Sequence, residues 1–226
     1  MNAPQMEYGK AFTYPQADPN WLTKWLIASF VGLIPIVGGF LALGYSIEIA
    51  RRVIKDEPSV LPEWNDFGEY LKKGFMAFVI ALVYVLPLIL VAVCVSVPQV
   101  ILTANDDGSG TLTTIAGLIS TCLGCLAAIY GVIVGMMFPA ALGKFAVTGE
   151  IGAGLRVGEV FALVRTKPAV FLIVMLLSSL AASVLTSAGV IVCGIGALAG
   201  AGYAQLATAH LWGQAYRVAS AEAGAV

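Results

Sequence analysis

Apolar positions along this chain run in unbroken blocks, not in the spaced stripes of a soluble helix. Phe75 to Ala104, Thr111 to Gly143 and Ala169 to Tyr216 contain no Asp, Glu, Lys or Arg. A helix needs about 20 apolar residues to cross a hydrocarbon layer of roughly 30 Å, so each block can span it and the last has room for two crossings. The pattern predicts an all-α, polytopic transmembrane helical bundle with about five spans, at 26–49, 75–102, 113–142, 169–185 and 190–216. They form one membrane domain over 21–217, with a polar and aromatic arm at 1–20 and a short tail at 218–226.

Breaks in the pattern set the turns. Ile34-Pro35-Ile36-Val37-Gly38-Gly39 interrupts the first span, because proline removes a helix donor and clashes with the preceding turn. A re-entrant first segment with four full crossings is therefore the alternative to five crossings. Asn105 to Gly110 and Thr186 to Gly189 carry turn residues. Two polar stretches, 55–74 and 144–168, are expected to hold amphipathic helices at the cytoplasmic interface. In the first, Asp66 and Glu69 have capping-box spacing, and Phe67, Tyr70, Leu71, Gly74, Phe75 and Phe78 share one helical face. In the second, the helix is expected around Val157 to Val164.

Charge gives these segments a direction. Arg51, Arg52, Lys55, Lys72 and Lys73 lie in the first polar loop, Lys144, Arg156, Arg165 and Lys167 in the third, and Arg217 follows the last span. Cytoplasmic loops are enriched in Lys and Arg, so those loops and the C-terminus are expected in the cytoplasm of a cell-membrane protein. A single crossing by the first span puts the N-terminus outside; Lys10 and Lys24 argue against that, and a re-entrant segment returns it to the cytoplasm. The first 20 residues are polar and lack a basic n-region, so the first helix itself is expected to direct insertion.

Composition agrees with the membrane reading. Hydrophobic residues make up 59% and charged residues 11%, against about 25% charged in soluble domains, and the mean hydropathy is +0.91. A net charge of -1 and the lack of any Lys/Arg block leave no footprint for nucleic acid. The bilayer is the expected partner, with a protein partner in the membrane or at its cytoplasmic face and a second copy of the chain as further candidates.

Candidate chemistry is sparse. Glu48, Arg52, His210 and Gln214 are polar residues at the margins of apolar segments, where ionisable groups are costly and mark candidate sites. For Glu48 and His210, hydration near the interface or pairing with Arg52 is the favoured account. Trp21, Trp25, Glu63, Trp64, Phe67 and Tyr70 form a candidate interfacial or partner-docking set, since Trp and Tyr favour the headgroup region. Gly131, Gly135, Gly196 and Gly200 have the small-xxx-small spacing that lets helices approach closely. Cys122 and Cys125 have the spacing of a redox pair, but no electropositive, accessible setting surrounds them. One histidine cannot supply a multi-histidine metal or haem site, and no cofactor or nucleophile-base-acid set is expected.

Tyr8-Gly-Lys-Ala-Phe12, Tyr14-Pro15, Asp18-Pro-Asn-Trp21, Ile34-Pro-Ile-Val-Gly38, Gly44-Tyr45, Arg51-Arg52 and Leu61-Pro-Glu-Trp-Asn-Asp-Phe-Gly-Glu69 together resemble the DUF4013 family of uncharacterised prokaryotic membrane proteins. His210-Leu-Trp-Gly-Gln-Ala-Tyr-Arg217 resembles its ending. The resemblance implies a multi-helix integral membrane protein and supplies no activity. The expected function is a non-enzymatic scaffold or accessory subunit that docks a partner or lipid through its cytoplasmic amphipathic segments. The alternative is a permease for a small or amphiphilic molecule.

Overall fold

Pro35 decides how the first apolar block folds. In the computed structural model, which describes residues 4–59, 61–104, 110–191 and 195–224, the block is two helices, α2 (Trp21–Val31) and α3 (Val37–Ile54). A short helix α1 (Lys10–Thr13) and a 3-10 turn (Tyr14–Ala17) precede them. Between α2 and α3, Ile36 takes φ 64 and ψ -61, and the Val37 N–H donates to the Pro35 carbonyl at 2.6 Å. This is the positive-φ γ-turn, a tight and strained reversal. A Cβ on Gly38 would overlap the Val31 carbonyl, so only glycine lets the two helices close there. Farther along, the Lys24 carbonyl accepts the Trp64 indole N–H at 3.1 Å while Trp64 stacks on Tyr45 of α3. The break expected at Pro35 in the first apolar block is present and divides it into a helical hairpin, with both arms packed on the last helix.

The remaining helices are α4 (Phe67–Ala104), α5 (Thr111–Thr148), α6 (Ile151–Leu155), α7 (Val157–Thr166), α8 (Pro168–Ile191) and α9 (Ile195–Glu222). Within them Phe67–Pro98, Thr114–Thr148 and Pro168–Val190 are long and apolar enough to cross a membrane, which marks a multi-pass membrane protein. α9 is long enough but carries Gln205, His210 and Gln214, and it is not among these three.

The chain divides into two compact units. The first comprises Met1–Ile80 and Met136–Val226. Here α3 crosses α4 where a Cβ on Gly44 would meet the Tyr70 carbonyl and one on Gly74 the Phe40 carbonyl. α8 and α9 form a close pair, with Gly196 against the Gly189 carbonyl and Gly200 against the Leu185 carbonyl. Tyr45, Phe145, Phe171, Leu206 and Leu211 are among its fully buried side chains. The second unit, Ala81–Gly135, holds parts of α4 and α5, where the Tyr130 hydroxyl donates to the Tyr84 carbonyl at 3.1 Å. It contains no Lys or Arg, and Leu90, Leu118 and Leu126 on its helices are exposed, as lipid-facing residues are.

Two element expectations change. The helix starts where the capping-box spacing puts it, Asp66 Oδ1 accepting the Glu69 N–H at 3.0 Å, but it runs from Phe67 straight into the second span as α4, without a separate surface segment. The apolar face expected on a surface helix is split, with Tyr70 turned inward and Phe67, Phe75 and Phe78 exposed. The turn expected at 186–189 is helical, because Gly189 serves the contact with Gly196 and α8 continues to Ile191. Residues 105–109 of the expected first turn lie outside the described residues.

Candidate functional site

Glu48 and His210, both buried, belong to two separate clusters. Glu48 lies one turn before Arg51 and Arg52 on α3, a spacing that lets both guanidiniums reach back to it. Arg51 Nη2 contacts Glu48 Oε1 at 2.5 Å, Arg52 Nε the same oxygen at 3.2 Å, and Lys73 Nζ from α4 contacts Oε2 at 2.6 Å. Glu57 shares Arg51 at 3.1 Å, and Glu69 shares Lys73. A carboxylate held by three cations has its charge satisfied, which is how a buried anion is tolerated. It is poorly placed to move a proton.

His210 sits on α9 beneath the N-terminal arm. Its ring stacks on Tyr14 at 4.3 Å between centroids, and the Tyr14 hydroxyl donates to the Leu206 carbonyl at 3.0 Å. Gln214, one turn on, accepts the Glu7 backbone N–H at 2.8 Å and donates back to the Glu7 carbonyl at 3.2 Å. Its amide nitrogen also lies 3.0 Å from His210 Nδ1. The amide oxygen is occupied by Glu7, so the nitrogen donates, Nδ1 accepts, and the imidazole proton belongs on Nε2. A cavity of about 530 Å³ opens beside His210, lined also by Glu7, Lys10, Asp56, Glu57 and Arg217. Glu48 does not line it. Glu48 and Arg52 therefore group together, His210 and Gln214 group together, and the first pair does not line the cavity of the second.

The expected docking residues are used inside the fold. Trp64 stacks on Tyr45 with ring centroids 4.1 Å apart and planes within 10°. Tyr70 donates its hydroxyl to the Glu63 carbonyl at 2.6 Å. Trp25 stacks on Trp21 and donates to the Ala199 carbonyl at 2.9 Å. Glu63 contacts Lys24 at 2.6 Å. Lys24 is itself buried, donating to Asp18 at 2.7 Å and to the Leu61 carbonyl at 3.2 Å. Burial alone would raise the Asp18 carboxyl, but its hydrogen bonds from Lys24 and the Asn20 N–H outweigh this and hold it below the ordinary carboxylate range. Of the set, only Phe67 leaves its ring largely exposed.

Sequence spacing did not reveal what pulls these residues inward: Tyr45, fully buried in α3, whose ring supplies the floor for Trp64 and whose hydroxyl donates to the Pro62 carbonyl at 3.0 Å. The only available signal was Gly44 beside it, which admits the α4 backbone.

α7 presents a different face. Val160, Leu163 and Val164 are buried, while Val157 and Phe161, one turn apart, are exposed. Cations flank this apolar pair: Arg165 lies over the Phe161 ring at 5.9 Å, Lys144 and Arg156 meet at Glu159, and Lys167 contacts Glu222 of α9 at 2.6 Å.

Gly196 and Gly200 lie at a close helix approach, whereas a Cβ on Gly131 would meet no atom within 4 Å. Gly135 is half-buried on α5. Cys122 and Cys125 are exposed and unbridged. Among the described residues no group of three His, Cys, Asp or Glu side chains is arranged to hold a metal ion.

A family model described as "Protein of unknown function (DUF4013)" matches residues 27–195. The uncharacterized protein MJ1189 of Methanocaldococcus jannaschii is 36% identical over 58 residues, which is 26% of this chain and 20% of that protein. The matched stretch thus spans a fifth of that relative's length. No solved structure matches.

Proposed function

We propose, for a chain that belongs to the DUF4013 family of proteins of unknown function, that it is a non-enzymatic membrane scaffold or accessory subunit docking a protein partner or the headgroup surface through α7. One observation carries this reading. Of the two polar segments that could dock, 55–74 has Trp64 and Tyr70 tied into the fold and leaves Phe67 exposed, while α7 keeps Val157 and Phe161 exposed on a surface flanked by cations. Exposed apolar residues beside Lys and Arg suit the membrane-water boundary or a partner that lies along it.

The direction of insertion follows from charge. All twelve Lys and Arg fall at 10–73 and 144–217, and none in Ala81–Gly135. The positive-inside tendency places α7, the loop after α3 and the end of α9 in the cytoplasm. The N-terminal arm follows them, because Glu7 is bonded to Gln214. Both termini on one face require an even number of crossings, which α4, α5, α8 and α9 supply if the α2–α3 hairpin is re-entrant. The hairpin has suitable dimensions: α2 and the apolar part of α3, Val37–Ile47, are each about 16 Å long at 1.5 Å per residue, half of the hydrocarbon thickness. A permease route joining Glu48 to His210 gains no support from the cavity beside His210, which Glu48 does not line.

A photocrosslinking residue at Phe161, with one at Glu150 as control, tests the reading in native membranes. A discrete protein or lipid adduct at 161 that is absent at 150 supports it. No adduct at 161, together with catalytic turnover by the purified chain, contradicts it.

A further inference from the structure

The cavity beside His210 shares no residue with α7, and none of the roles above uses its unspent groups. His210 is 3% exposed, and its Nδ1 is taken by Gln214. That leaves Nε2–H with no hydrogen-bond acceptor among the described residues, although the ring lines the cavity. A ligand oxygen in the cavity can accept from this N–H, the one polar group of the ring that Gln214 does not use. Lys10, at the rim, spends one of its three donors on Glu7 Oε2 at 3.0 Å and has two to spare. Arg217 is paired with Asp56, its Nη1 and Nη2 donating to the two carboxylate oxygens at 2.6 and 2.8 Å.

The opposite charge is available in the same wall. Glu7 keeps Oε1 outside its pair with Lys10, and Glu57, whose Oε1 pairs with Arg51 at 3.1 Å, reaches Arg52 with Oε2 only at 3.8 Å. A simple anion would satisfy His210 and Lys10 but face Glu7, Asp56 and Glu57; a simple cation would satisfy the carboxylates and leave Nε2–H unmet. Val53, Pro58 and Val218 supply apolar wall between these groups. A volume of about 530 Å³ lies within the roughly 300–1,000 Å³ typical of small-ligand sites.

We propose that this cavity binds a zwitterion, its anionic oxygen on His210 Nε2–H and Lys10 and its ammonium group toward Glu7 and Glu57. Two sources share that chemistry, an ethanolamine phospholipid headgroup and a free amino acid. The cavity lies where α9 leaves its apolar stretch, beside Gln214 and Arg217.

Calorimetric titration of the detergent-solubilised full chain with phosphoethanolamine, glycine and inorganic phosphate tests this. Saturable binding of phosphoethanolamine or glycine is expected, with inorganic phosphate at least about tenfold weaker; tighter phosphoethanolamine indicates the headgroup source and tighter glycine the free amino acid. His210→Phe keeps a ring on Tyr14 but removes the donor, and Lys10→Gln removes a rim charge without touching the core. Each is expected to weaken zwitterion binding by about tenfold or more, the loss of one charge-assisted hydrogen bond. Absence of saturable binding by either zwitterion, inorganic phosphate binding as tightly as both, or unchanged affinity in both variants overturns the proposal. Because Lys10 is exposed, the second variant answers even if the first fails to fold.

Discussion

The backbone of Glu7 and the side-chain amide of Gln214 pair as two peptide groups would, N–H to Oε1 at 2.8 Å and Nε2 to carbonyl at 3.2 Å. The contact closes a sequence separation of 207 residues and holds the arm against the end of α9. Gln214→Ala removes both bonds and the donor to His210 Nδ1. It should cost about 1–3 kcal/mol and make the first 20 residues protease-sensitive while the rest of the chain stays resistant, as limited proteolysis in detergent would report.

Trp64 is the pin of the loop that follows α3. Trp64→Ala loses the stack on Tyr45 and the bond to the Lys24 carbonyl, and large-to-small changes of this kind cost about 3–5 kcal/mol. Trp64→Phe keeps an aromatic ring and loses the hydrogen bond, for about 1 kcal/mol. Thermal unfolding followed by tryptophan-independent circular dichroism distinguishes the two.

Acid should break the Asp18–Lys24 pair. Asp18 has a depressed carboxyl in the folded state, so its stabilising effect is complete above the unfolded value of about 4 and is lost as pH falls through the lower folded value. Asp18→Asn is expected to reduce stability at pH 7 by about 1–3 kcal/mol and to flatten the acid limb of a stability-pH profile. An unchanged profile would refute the pairing with Lys24 as its cause.

Ile36 occupies a conformation that β-branched residues avoid, with φ 64. Relief of about 1–3 kcal/mol of strain by Ile36→Gly is offset in part by about 0.4–1 kcal/mol of extra unfolded-state entropy. The variant should be as stable as the parent or slightly more stable; a melting point several degrees lower would contradict the strained turn.

Long charge-free blocks made the helices visible in the sequence, because lipid demands continuous apolar surface and satisfied backbone. Pro35 marked the break that became the hairpin, but nothing local says whether a broken span continues or doubles back. That depends on Gly38 meeting Val31, and on Trp64 and Lys24 meeting across 40 positions. The same long-range contacts engage two of the expected docking aromatics within the fold: Trp64 and Tyr70 look interfacial by residue type, and only the burial of Tyr45 beside Gly44 shows what their rings pack on. Glu48 and His210 were legible as unusual, while their separation into two clusters was not. Gly196 and Gly200 have the same spacing as Gly131 and Gly135, yet Gly131 faces no neighbour, since spacing records that a helix can approach closely and not that another is there.

The account rests on the arm and the end of α9 sharing one cytoplasmic face, with the α2–α3 hairpin re-entrant. Single cysteines placed at Gln5, Gly110 and Ala223 of a chain whose native cysteines are changed to serine test this by labelling with a membrane-impermeant maleimide in vesicles of both orientations. The account predicts that positions 5 and 223 label together from the cytoplasmic side and position 110 from the opposite side. Labelling of positions 5 and 223 from opposite sides would contradict it.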